Sequence, residues 1–273
     1  MKRRTEARIS DRKGKATMGL TTAITGSASG IGAATRRRLE DEGHGVIGID
    51  IRNAEVIADL STQEGRQTAV SAVLEKCEGH LDRLVVSAGL GAHTRPPSLI
   101  ASVNYFGAVE VVDGLFSALK KGTTPAAVVV CSNSGQMMPM DDLPYVLALL
   151  EHDEKKACRI IDEADDPPLA YLGSKNALGK AVRRRSAQWA EEGVRINAVA
   201  PGPVMTPLLQ GDMDDPLTGE AVRELRVPLG RMGEPHEIAE LIAFLLGPLA
   251  SWITGSIYYI DGGIDAEIRP DQY

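Results

Sequence analysis

From about residue 19 onward, short apolar runs alternate with longer segments in which apolar positions recur every three or four residues. The runs at 20–25, 45–50, 81–87, 126–132, 195–200 and 256–260 are rich in Val, Ile, Leu and Ala without clean alternation, the pattern of strands covered on both faces. Between them, 30–42, 64–77, 100–120, 170–191 and 235–246 have helical period. Strands alternating with helices predict an α/β fold, a single doubly wound Rossmann-type domain around a parallel sheet. A chain of 273 residues suits one such domain and leaves little for a second. No internal repeat or low-complexity tract interrupts the pattern.

Charge adds two points. Residues 1–17 hold seven Lys or Arg against Glu6 and Asp11, a local +5, whereas the whole chain carries −7. Residues 1–18 read as a basic, disordered leader without the apolar core of an export signal, and 19–273 as the catalytic domain. A net acidic domain argues against a nucleic-acid partner. The longest apolar stretch, 241–253, is broken by Gly247 and Pro248, so no membrane partner is expected. Cys77, Cys131 and Cys158 are odd in number and lack metal-type spacing, which predicts no metal site and a reducing, cytoplasmic location.

After the first strand, Thr25-Gly26-Ser27-Ala28-Ser29-Gly30-Ile31-Gly32 runs straight into a helix. Glycines let backbone approach a pyrophosphate, and the helix start supplies unpaired N–H donors, so Gly26, Ser29, Gly30, Ile31 and Gly32 are expected to hold a dinucleotide. Asp50 ends the second strand, where a carboxylate can accept hydrogen bonds from ribose hydroxyls and repel a 2′-phosphate. Arg52 nearby could offset that repulsion in part. NAD(H) is the expected cofactor. Farther on, Tyr171 and Lys175 stand four apart, on one face of a helix, where a neighbouring cation would favour phenolate and bring the phenol toward useful acid–base range.

In this order these segments resemble the short-chain dehydrogenase/reductase family, over nearly everything from about Gly19 to Gly263. Ser87-Ala88-Gly89, Asn104 in the following helix, Ser132 after the fifth strand candidate, Pro201-Gly202-Pro203-Val204-Met205-Thr206 and Asp261-Gly262-Gly263 complete the likeness. The resemblance implies that Tyr171 is the general acid/base, that Lys175 holds the nicotinamide ribose and tunes Tyr171, and that Ser132 hydrogen-bonds the substrate oxygen. It implies further that Asn104 holds a relay water, that Ala88 and Gly89 line the cofactor, and that Val204 and Thr206 grip the carboxamide. Ser134 is the rival to Ser132, which is preferred because it ends the strand at the sheet's carboxyl edge.

Most members of that family place the serine thirteen residues before the tyrosine; here the spacing is thirty-nine. The extra chain, about 137–168, has helical period at 146–164 and predicts one or two added helices that favour a homodimer over a tetramer. An insert here resembles the bacterial 3α-hydroxysteroid dehydrogenase/carbonyl reductase branch, which implies adenine contacts from Asp59 and Leu60. A branch acting on coniferyl-type aromatic alcohols is also similar, so a small apolar alcohol or ketone is the expected substrate, a hydroxysteroid first. A non-catalytic dinucleotide sensor is the alternative from another class. The substrate loop, about 205–228, offers Leu208, Leu209, Met213 and Leu217 as an apolar lid, with Asp212, Asp214 and Asp215 disfavouring an anionic substrate.

Overall fold

The computed structural model describes residues 19–272; the basic leader at 1–18 lies outside them. In chain order the elements are β1 (Thr21–Thr25), α1 (Gly30–Asp41), β2 (Gly45–Asp50), β3 (Val56–Ile57), α2 (Gln63–Lys76), β4 (Arg83–Val86) and α3 (Pro97–Ala101). A π-helical turn (Ser102–Gly107) joins α3 to α4 (Ala108–Leu119), followed by β5 (Ala126–Val130) and a 3-10 turn (Asn133–Gln136). Then come α5 (Pro144–Leu150), α6 (Glu154–Ala164), α7 (Pro167–Glu191), β6 (Arg195–Pro201), α8 (Pro207–Asp214), α9 (Gly219–Glu224), α10 (Pro235–Leu246), β7 (Ile257–Ile260) and α11 (Ile264–Ile268).

All strand pairs are parallel, in the order β3-β2-β1-β4-β5-β6-β7. Successive side chains of a strand face opposite ways. Accordingly Leu84, Val86, Ala127 and Val129 join the core under α2, α4 and α7, while Val85, Val128 and Val130 join that under α1 and α10. Both faces are covered, which is why the central strands read as unbroken apolar runs. Chain order reverses between β1 and β4, and that switch point opens a crevice at the strands' carboxyl ends.

The edges depart from expectation. β3, two residues long, has no sequence signature, and the four residues of β7 are half-buried because an edge strand lacks a neighbour on one side. The expected helix at 100–120 begins at Pro97 and carries the π turn within it. By length and composition alone Pro97–Leu119 could cross a bilayer, but it lies largely buried in the core. The insert forms two helices, α5 and α6, docked on α3 and α7. Tyr145, Val146, Leu149 and Ile161 are buried there, and a Cβ at Gly173 would lie 2.7 Å from the Tyr145 ring. Arg66 of α2, almost wholly buried, ties the insert down through a bidentate pair with Glu154 (2.6 and 2.7 Å), and also donates to the carbonyls of Leu60 and Ser102. Within the expected substrate loop the chain forms α8 and α9.

Candidate active site

One cavity of about 1010 Å³ occupies the crevice, with the predicted cofactor residues toward one end and the catalytic set toward the other. At the first end the β1–α1 turn is shaped by its glycines. Gly26 has φ +69°, and a Cβ there would lie 2.8 Å from the Ala88 amide nitrogen; a Cβ on Gly32 would overlap the Gly26 carbonyl. Gly32 therefore sits behind the cavity wall, while Gly26, Ser29, Gly30 and Ile31 line it. Ser29 stands at the N-cap of α1 without capping it through its side chain, leaving the helix-start amides available to an anion.

Asp50 reaches the same end from β2, accepting from the Ala28 N–H (3.0 Å) and the Ile51 N–H (2.8 Å). Each carboxylate oxygen thus retains acceptor capacity. Arg36 of α1 is held by Glu55 and Glu40, whereas Arg52 is exposed at the cavity's edge. Asp59, capping Ser61 N–H, and buried Leu60 line the wall beyond. Ala88 and Gly89 follow β4, with the Ser87 and Ala88 amides anchored on Thr25 Oγ1. Val204 bridges to Gly233, and Thr206 caps α8 with its methyl against Gly30. These residues give a dinucleotide a close-approach turn, free amides and a carboxylate, so the chain fits that group.

At the other end Ser132 Oγ accepts from the Ser134 amide (3.2 Å) and the Ser134 hydroxyl (2.9 Å). With its acceptor side used, Ser132 keeps its own proton to donate, which favours Ser132 over Ser134 as the group facing a substrate oxygen. Tyr171 and Lys175 share a face of α7, as the spacing predicts, with Lys175 Nζ 5.9 Å from the phenol ring centre. The predicted lowering of the phenol is not found. Burial pushes Tyr171 up to about 12, the Ser132 hydroxyl beside it pulls the other way, and the Asp212 carboxylate adds to the rise. Lys175 is itself buried, donates to the Val130 carbonyl (3.0 Å), and is lowered by desolvation. Spacing alone carries no information on how dry the site is, and desolvation is the larger effect.

Asn104 lies in the π turn, fully buried, and does not line the cavity. Its side chain clasps the Leu90 backbone, Oδ1 accepting from N–H (2.7 Å) and Nδ2 donating to the carbonyl (3.0 Å). A Cβ at Gly89 would lie 3.3 Å from Asn104 Oδ1 and 3.6 Å from Lys175 Nζ, so both side chains flank Gly89. Local departures from α-helix often mark functional positions. Beyond Tyr171, Leu90, Leu99, Val103, Met137, Leu172 and Leu209 form an apolar chamber, closed by α8 and α9. One contact of this lid with the body, between His93 and Asp212, has no local signal, because the partners are 119 residues apart.

Residues 21–146 match the short chain dehydrogenase family, and residues 161–265 match a family described as enoyl-(acyl carrier protein) reductase. A 3-alpha-hydroxysteroid dehydrogenase/carbonyl reductase of Comamonas testosteroni is 52% identical over 252 residues, spanning 92% of this chain and 98% of that one. The chain belongs to the short-chain dehydrogenase/reductase family. It is an oxidoreductase with the Rossmann-type fold of that family. The crystal structure of a 3-alpha-hydroxysteroid dehydrogenase from Pseudomonas sp. B-0831 complexed with NADH superposes with TM-score 0.91 at 50% identity, covering 93% of this chain and all of that one. A tropinone reductase homolog of Arabidopsis thaliana is 27% identical, spanning 90% of this chain and 79% of that one.

Proposed function

We propose that this protein is an NAD(H)-dependent oxidoreductase that interconverts a secondary hydroxyl and a ketone on an apolar ring substrate, a 3α-hydroxysteroid, with broader carbonyl reductase activity. The observation that carries the reading is the joining, in one cavity, of the Asp50-walled glycine turn, the Ser132–Tyr171–Lys175 cluster and an apolar chamber. The resemblance of more than half the aligned residues to a hydroxysteroid dehydrogenase supports the substrate class.

When bound, NAD supplies the hydride acceptor, and NADH the donor. Gly26, Ser29, Gly30 and Ile31 hold the pyrophosphate, Asp50 the adenosine ribose, and Asp59 and Leu60 the adenine. Ala88, Gly89, Val204 and Thr206 line the nicotinamide half. Ser132 donates a hydrogen bond to the substrate oxygen, favouring the negative charge that develops there. Tyr171, a neutral phenol in the ligand-free protein, gives its proton to that oxygen during reduction and takes it back during oxidation. Lys175, held by the Val130 carbonyl, provides donors toward the ribose, and Asn104 fixes the Leu90 backbone beside it. The chamber's apolar wall suits a fused-ring body and excludes water from the reacting carbon.

The insert packs over α3 and α7, a face thereby lost to assembly, and we assign a homodimer. Three free cysteines fit a cytoplasmic enzyme. Parallel assays of NADH formation with NAD and either a 3α-hydroxysteroid or coniferyl alcohol test the substrate class. Preferential steroid turnover is expected; preferential coniferyl turnover moves the protein to the aromatic-alcohol branch.

A further inference from the structure

The lid is joined to the body at a point far from the catalytic helix. His93, in the loop between β4 and α3, presents its backbone N–H and its ring Nδ1 to one oxygen of Asp212, at 2.9 and 2.8 Å. A carboxylate only accepts, so Nδ1 carries the proton in this contact. Asp212 is the buried partner, reaches the cavity wall from α8, and its charge is felt at Tyr171.

Both sides of the contact are built around it. A Cβ at Gly91 would lie 2.6 Å from Asp212 Oδ1, and a Cβ at Gly211 would lie 2.6 Å from His93 Cε1. Two glycines therefore let the loop and α8 approach closely enough for the pair to form. Within the lid, Thr218 Oγ1 donates to the Asp212 carbonyl (2.7 Å), and Asp215 accepts from the Leu217 and Thr218 amides (3.0 and 3.1 Å), so α8 and α9 move with Asp212. A weaker contact, Arg95 to Asp215 at 3.8 Å, lies alongside.

We propose that His93 is a positioning residue for substrate: by clasping Asp212 it holds α8 and α9 closed as the apolar wall of the chamber opposite Tyr171. The ligand so retained is not anionic at that end, because Asp212 lies at the cavity wall. The proposal rests on the substrate reading above for its kinetic arm only.

The test compares wild type, His93→Ala, His93→Asn and Gly211→Ala. Trypsin cleavage after Arg223 or Arg226, both exposed on the lid segment, reports lid opening without any substrate. Faster cleavage is expected in His93→Ala and Gly211→Ala, with recovery in His93→Asn, whose amide can take the place of Nδ1. NADH affinity, followed by fluorescence, should stay within about twofold, since the clasp lies outside the cofactor end. With a 3α-hydroxysteroid, KM should rise about tenfold in His93→Ala while kcat changes less. Unchanged cleavage in both disrupting variants overturns the clasp, whether or not the protein turns over steroids. Faster cleavage with an unchanged KM overturns its role in positioning substrate. Failure of the wild-type protein to use any steroid removes the substrate reading and leaves the cleavage result to decide the clasp.

Discussion

Ser132 and Tyr171 are chemically complementary in a way that burial decides. Ser134 occupies the acceptor side of Ser132, and burial pushes Tyr171 up to about 12. A raised phenol is the acid form at neutral pH, ready for carbonyl reduction, whereas alcohol oxidation needs the scarce phenolate. The sign follows: kcat/KM for oxidation should climb with pH between about 7 and 9, approaching tenfold per unit, while that for reduction stays nearly level. Oxidation flat over that range would contradict a protonated Tyr171. Tyr171 stands out in the sequence by its spacing from Lys175, and Ser132 by its place at a strand end within a family-like order of motifs. Their ionisation was not legible there, since it depends on how completely β5, α7 and the lid exclude water. Asn104 was legible only through the family resemblance, and its bonds to Leu90 come from the π turn, which leaves no trace in composition.

Among the elements, the strands with a distinct apolar run were the readable ones. β1, β2, β4, β5, β6 and the edge strand β7 stand within a few residues of the runs that announce them, whereas the two residues of β3 are too few to leave a pattern. α8 and α9 are short helices in a Pro-, Gly- and Asp-rich segment, fixed by the Thr206 cap of α8 and the Asp215 turn before α9 rather than by periodicity. The insert showed its helical period, but the ion that anchors it lies in α2. Removing Arg66 strands Glu154 and the carbonyls of Leu60 and Ser102. Arg66→Met should therefore cost about 2–3 kcal/mol in urea unfolding, less than a fully enclosed pair because Glu154 retains some solvent. Glu154→Gln, which keeps one acceptor, should cost less. Equal stability of wild type and Arg66→Met would show that the insert is held by its apolar contacts alone.

For the molecule as a whole, the switch point between β1 and β4 fixes where chemistry can occur; the alternation of apolar runs and helical segments predicts a doubly wound sheet but not the strand order that places this point. Assembly is a property of surfaces, which one sequence reveals poorly. With α5 and α6 covering α3 and part of α7, sedimentation equilibrium should give twice the 29.1 kDa chain mass, and a stable tetramer would contradict the assignment. NADH formation from NAD and a 3α-hydroxysteroid, compared between wild type and Tyr171→Phe with NADH binding followed by fluorescence, tests the acid–base chemistry of this site most directly. Phe keeps the ring and its packing but removes the one proton in question. Steroid oxidation by the wild type, with at least about a hundredfold loss in Tyr171→Phe and undiminished NADH binding, is the predicted result. Equal turnover by the two proteins would contradict it.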